Sequence, residues 1–156
     1  MLNRKWVLIL ISILVMLSIT LVAANPNSIS INDKDLTLNE VEFNIPDGYT
    51  EDTSQRVLDK SEGTSAFEQC YSTCILKNGD KKINITVKYL ENGELTGFTN
   101  IYGRNTTLSN VKGCLLEDKS KITDNSVAFL YLYDGKGVYI SAPDLVTLEK
   151  VIAEQK

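Results

Sequence analysis

Cys70, Cys74 and Cys114 are the residues of this chain best suited to chemistry, and the 156-residue sequence holds no histidine to assist them. Without histidine there is no Ser-His-Asp or Cys-His nucleophile. Histidine-ligated zinc and most transition-metal sites are also excluded. The usual switch near neutral pH is missing as well. An odd number of cysteines leaves at least one unpaired, or paired to another molecule. If residues 70–76 form a strand, Cys70 and Cys74 share a face about 13 Å apart, too far to bridge each other. The best intramolecular disulfide then joins one of them to Cys114. It would close a loop of about 40 residues, worth roughly 3–4 kcal/mol in an oxidising compartment. Three reduced, buried thiols are the equal alternative, because buried cysteine packs as a small hydrophobe. The spacing matches no zinc ribbon or finger, so no metal is expected. The lack of a Cys-x-x-Cys motif argues against a thiol-dependent redox protein.

Other motifs resolve mainly into turns and surface. Asn84 and Asn105 each open an Asn-x-Thr glycosylation acceptor, Asn84 on an expected wet strand face and Asn105 in an expected loop. Asp134-Gly-Lys-Gly resembles part of a phosphate loop, but it joins two apolar runs and lacks the full glycine spacing. A hairpin turn is the expected reading. Asp33-Lys34-Asp35 and Glu117-Asp118 fit no calcium-loop spacing. Phe129, Tyr131 and Tyr133 recur with period two, which reads as core packing. Tyr139 would extend them only if they formed an exposed aromatic face. Carboxylates are plentiful, yet no two can be set facing one another from sequence. A hydrolase or transferase working through carboxylates without histidine is therefore the alternative, not the first choice.

The elements that must position these residues begin with an address. Residues 6–24 (WVLILISILVMLSITLVAA) carry no charge and follow Arg4-Lys5 directly. As a helix the run would span roughly 28 Å, close to a bilayer core. The next cation is Lys34, so the positive-inside bias puts the C-terminal part outside. Trp6 stands where an interfacial aromatic would stand. The length favours an uncleaved signal-anchor; the alternative is a signal peptide cut after Ala24 and a secreted product. Residues 25–35 are polar and turn-rich, which predicts a tether.

Residues 36–156 are expected to form one extracytoplasmic domain. All 20 acidic residues but only 14 of the 16 basic ones lie beyond residue 24, giving a formal charge of −6 there. That balance disfavours nucleic acid as a partner and implies mild repulsion from anionic lipid. Residues 40–45 alternate as a half-buried strand and end at Pro46-Asp47-Gly48. Residues 55–59 lean to a short strand. Residues 71–77 and 81–90 flank Asn78-Gly79, the strongest hairpin signal in the chain. Residues 94–110 read as a loop and 111–117 as a strand. Residues 127–133 (VAFLYLY) are apolar on both faces and belong mid-sheet. Residues 138–141 complete a second hairpin. A terminal helix should follow, capped by Ser141, with Leu145, Leu148, Val151 and Ile152 on its buried face. The expected fold is α+β: a mainly antiparallel sheet of about six strands packed against the C-terminal helix.

Three stretches, 43–49 (FNIPDGY), 108–113 (LSNVKG) and 129–142 (FLYLYDGKGVYISA) with the terminal helix, resemble small membrane-anchored or secreted proteins of methanogenic archaea. The resemblance implies an extracytoplasmic setting and brings no activity with it. The turn at 45–49 (IPDGY) is similar to that of PsbP-like α+β domains, which speaks to fold only. The function expected is a non-catalytic binding or cell-surface interaction module, needing no cofactor, with the membrane and a protein or envelope partner as its contacts.

Overall fold

The computed structural model describes residues 28–63, 69–97, 102–118, 120, 122 and 125–153. The run 6–24 lies outside them; among the described residues no helix is long and apolar enough to cross a membrane. Among the described residues eleven strands and one α-helix follow in order, with a 3-10 turn at Thr53–Gln55 between the fourth and fifth strands: β1 (Ile29–Asn32), β2 (Asp35–Leu38), β3 (Val41–Asn44), β4 (Thr50–Glu51), β5 (Val57–Glu62), β6 (Gln69–Asn78), β7 (Lys81–Leu90), β8 (Arg104–Leu108), β9 (Val111–Leu116), β10 (Val127–Tyr133), β11 (Lys136–Ala142) and α1 (Leu145–Val151). Every pairing is antiparallel, and the architecture is α+β.

The large sheet runs β4-β6-β7-β11-β10-β9-β8, with β5 also on β6. β4 and β5 share one edge of β6, pairing with Leu76–Lys77 and with positions 69–73 respectively. Alternation decides what each strand buries. Cys74 and Leu76 of β6 and Ile83, Ile85 and Val87 of β7 fall on the inner face, as do Phe129 and Tyr131 of β10 and Val138 and Ile140 of β11. β10 lies between β11 and β9, as its two-sided apolarity predicts.

The cover over that inner face differs from expectation. A second, three-stranded sheet, β1-β2-β3, lays Leu36, Leu38, Val41 and Phe43 into the core, each at most 1 % exposed. Helix α1 adds Leu148 and Val151, and the chain after it bridges Ile152 to Phe43. The expected sheet of about six strands is thus corrected to eleven strands in two sheets. The supposed tether 25–35 likewise contains β1 and the turn into β2. Short, polar strands such as Ile29–Asn32 carry almost no periodic signal, because one face of an edge strand stays wet.

Turn chemistry explains further shifts. Asn39-Glu40, Ser109-Asn110 and Asp134-Gly135 each join paired strands and have φ of 48 and 66, 47 and 65, and 47 and 68°. Two consecutive positive φ values mark the type I′ hairpin turn, whose twist suits its strands. In the β6–β7 hairpin Asn78 pairs with Lys81, so the turn proper is Gly79-Asp80 rather than Asn78-Gly79. Gly79, at φ +58°, takes the first central position, as type II′ turns prefer. The predicted loop at 94–110 gives way to β8 at its end. The helix cap is Asp144, whose carboxylate accepts from the Thr147 N–H at 2.7 Å. Ser141 is not the cap, because it is buried in β11 opposite Asn84.

Candidate functional site

The densest gathering of polar side chains lies where β5 bulges over β6. The register slips between Val57 and Lys60, and Asp59 adopts a φ of 49°. A left-handed conformation costs an aspartate about 1 kcal/mol, so something must hold it. What holds it is a set of hydroxyls from three other segments. Tyr89 donates to the Asp59 carboxylate at 2.6 Å, Ser72 donates at 3.2 Å, and Ser28 donates to its other oxygen. Burial is the largest single influence on the Asp59 carboxyl and raises its pKa. Hydrogen bonds from Ser28, Tyr89, Ser72 and Asn39 together outweigh it and hold the pKa below the usual aspartate value. The Tyr89 phenol moves the opposite way, raised first by burial and then by Asp59.

Ser72 is wholly buried, and its hydroxyl accepts from the Asp59 N–H at 2.9 Å and from Asn39 Nδ2 at 3.0 Å. With both acceptor positions used and its proton given to Asp59, that oxygen has no lone pair left for attack. The cluster therefore acts as a clip joining β1, β2–β3, β5, β6 and β7 at one corner. No local pattern signals it, because its members come from five separate places in the chain and match no motif.

The three cysteines do not converge. All are free and buried. Cys70 and Cys74 are on the inner side of β6, while Cys114 is on the outer face of β9, paired with Leu130. Four strand spacings separate β6 from β9, roughly 19 Å, so neither Cys70 nor Cys74 can reach Cys114 for a disulfide. Of the two alternatives open from sequence, the structure has three separate thiols and no bridge to Cys114. Cys74 lies behind the Glu51–Arg56 ion pair, and burial, with the Glu51 charge, pushes its thiol up to about 12. Burial raises Cys114 also. Such thiols hold few thiolates and react slowly. Cys70 sits on the rim of the clip, 3.6 Å from Ser61 Oγ and 3.8 Å from Glu91 Oε1. Among the described residues no group of His, Cys, Asp and Glu could hold a metal ion.

Asn84 and Asn105 both face outward on the large sheet. Asn84 sits mid-strand, half-buried, its side-chain carbonyl accepting from the Thr86 hydroxyl at 3.3 Å. Asn105 is exposed on the edge strand β8, directly opposite Cys114, and not in a loop as expected. Beside it the sheet opens. β9 and β10 pair only where Cys114, Leu115 and Leu116 meet Leu130, Phe129 and Ala128. Beyond that the strands part, leaving a cleft of about 520 Å³ lined by Asn105, Lys112, Gly113, Cys114, Leu130 and Leu132 among others. The aromatic residues divide between faces. Phe129 and Tyr131 stack in the core at 5.7 Å, whereas Tyr139 pairs with Leu130 on the outer face and so cannot extend them.

No family model, curated protein or solved structure matches this chain.

Proposed function

We propose that this chain is an extracytoplasmic binding module held at a membrane by residues 6–24, with Arg4 and Lys5 inside and the α+β domain outside. The observation that carries this reading is the uncharged 19-residue run placed directly after two cations. The saturation of the Asp59–Ser72 cluster supports a non-catalytic role, since its strongest carboxylate–hydroxyl pair is engaged in holding strands together. The solvent-facing side of the large sheet, bearing Asn84, Asn105 and the cleft beside Lys112, is the surface offered to a partner. Glycans on Asn84 or Asn105 would occupy that same side. Fractionation with intact mass measurement tests the anchor. The full 156-residue chain retained in the membrane fraction after alkaline washing is the expected result. A soluble product beginning at Asn25 would replace the anchor with a cleaved signal.

A further inference from the structure

The described strand positions on the outer face of the large sheet carry a charge opposite to that of the domain. Strand register assigns Lys60 of β5, Lys77 of β6, Lys82 and Lys88 of β7 and Lys112 of β9 to this face. Glu62 is the one carboxylate at its described strand positions. Lys77 and Lys88 have carboxylate partners, Asp52 and Glu62. Lys60, Lys82 and Lys112 make no ion pair among the described residues. The inner face is closed by β1–β3 and α1, while on the outer face the segment carrying Ile122 and Asn125 covers Cys114, Leu116, Ala128 and Ser141, with Lys82 on one side of it and Lys112 on the other. Net charge alone predicts repulsion from anions. At contact distance, however, screening over about 8–10 Å makes the nearest face count for more than the total.

We propose that this lysine face docks on the anionic lipid headgroups of the membrane in which residues 6–24 are anchored, a reading that rests on that anchor. Three features favour a lipid surface over a threadlike polymer. The lysines are spread in two dimensions. The Lys60–Tyr71–Lys88 row and the Lys77–Lys82 pair lie at opposite ends of the β6–β7 ladder, and Lys112 lies three strands beyond β7. Two lysines already lie over the Tyr71 ring, Lys60 at 5.8 Å and Lys88 at 5.9 Å from its centre, which leaves it poorly placed to stack on a sugar. The tether is also short. Four peptide steps from Ala24 to Ser28 reach at most about 14 Å, and Ser28 is clipped to Asp59, the neighbour of Lys60. The domain is thus held within a protein diameter of the bilayer, at the sheet edge where the lysine face begins.

The test reconstitutes the full chain in phosphatidylcholine bilayers and in bilayers with equal parts phosphatidylglycerol, and measures amine labelling of each lysine by mass spectrometry. Labelling of Lys60, Lys82 and Lys112 should slow about fivefold in the anionic bilayer, the worth of one lysine at a charged surface. Lys34 and Lys150, on the inner-face side, should label equally in both, and high salt should abolish the difference. The double variant Lys82→Gln/Lys112→Gln should restore labelling of Lys60. Equal labelling of all five lysines while the chain stays in the bilayer would overturn the docking alone. Loss of the chain from both bilayers would overturn the anchor, and the docking with it. Protection by a soluble acidic polysaccharide but not by anionic lipid would also overturn it and assign the face to a polymer.

Discussion

Asp59 illustrates what a single side chain contributes here. Its carboxylate is the acceptor for hydroxyls of Ser28, Ser72 and Tyr89, and its own backbone N–H returns a bond to Ser72. Because its folded pKa is depressed, its contribution is present above the unfolded value and is lost as pH falls through the folded one. Asp52 behaves alike, held by Lys77 and Ser54 at about 2 against an ordinary 3.8. Stability should therefore decline as pH drops from about 4 towards 2. Asp59→Asn should destabilise the domain by about 1–3 kcal/mol at neutral pH and flatten part of that acid limb. Urea unfolding at several pH values measures both. An unchanged midpoint would mean that the clip holds nothing. The sequence displayed each of these residues, but a hydrogen-bonded group assembled from five segments has no linear signature. The cysteines teach the converse. Their strand faces were legible from alternation, but the four-strand separation of Cys114 from Cys70 and Cys74 was set by strand order, which alternation does not encode.

Elements show the same division between local and distant causes. The β6–β7 and β10–β11 hairpins were legible because apolar alternation and a glycine-bearing turn lie next to each other in the chain. Their registers follow from Gly79 and from Asp134-Gly135. The β8–β9 hairpin escaped notice because β8 reads Arg-Asn-Thr-Thr-Leu and turns through Ser109-Asn110. An edge strand needs little apolar surface, so it leaves little pattern. Gly113 marks the place where β9 leaves β10. A Cβ there would come within 2.4 Å of the Leu130 carbonyl oxygen and 2.6 Å of the Phe129 ring. Gly113→Ala should cost about 1–3 kcal/mol, since neither backbone nor buried ring can yield freely. At Gly79 nothing lies within 4 Å, so Gly79→Ala meets only its positive φ, at about 1 kcal/mol. Thermal unfolding of the two variants side by side should rank them in that order. The reverse order would place the steric limit in the turn instead.

The whole molecule is built around a long sheet whose inner face is covered throughout and whose outer face is covered only in part, by the segment carrying Ile122. Four large apolar residues of β2 and β3 close the core alongside two from α1 and Ile152 just after it. Lys136 ties the two hairpin ends together by donating to the Asn39 carbonyl at 3.0 Å and to Glu40. A chain beginning at Ile45 should consequently lose cooperative unfolding and bind a hydrophobic dye, because the inner face of β6, β7, β10 and β11 would lie open. A sharp unfolding transition in that truncation would show that α1 suffices as a cover. From the sequence alone came the exclusion of histidine chemistry, the α+β class, the central place of β10 and the buried stripe of the last helix, and on it alone rests the proposed address at residues 6–24. These are properties of composition, of period or of neighbours in the chain. Only the tertiary structure decided that a second sheet covers the first, that the three thiols stay apart, that Asp59 collects distant hydroxyls, and that five lysines fall on the outer side of the large sheet of an acidic domain. Each of those depends on strand order and register, which are set by packing between segments remote in sequence, and short-range pattern has no access to them.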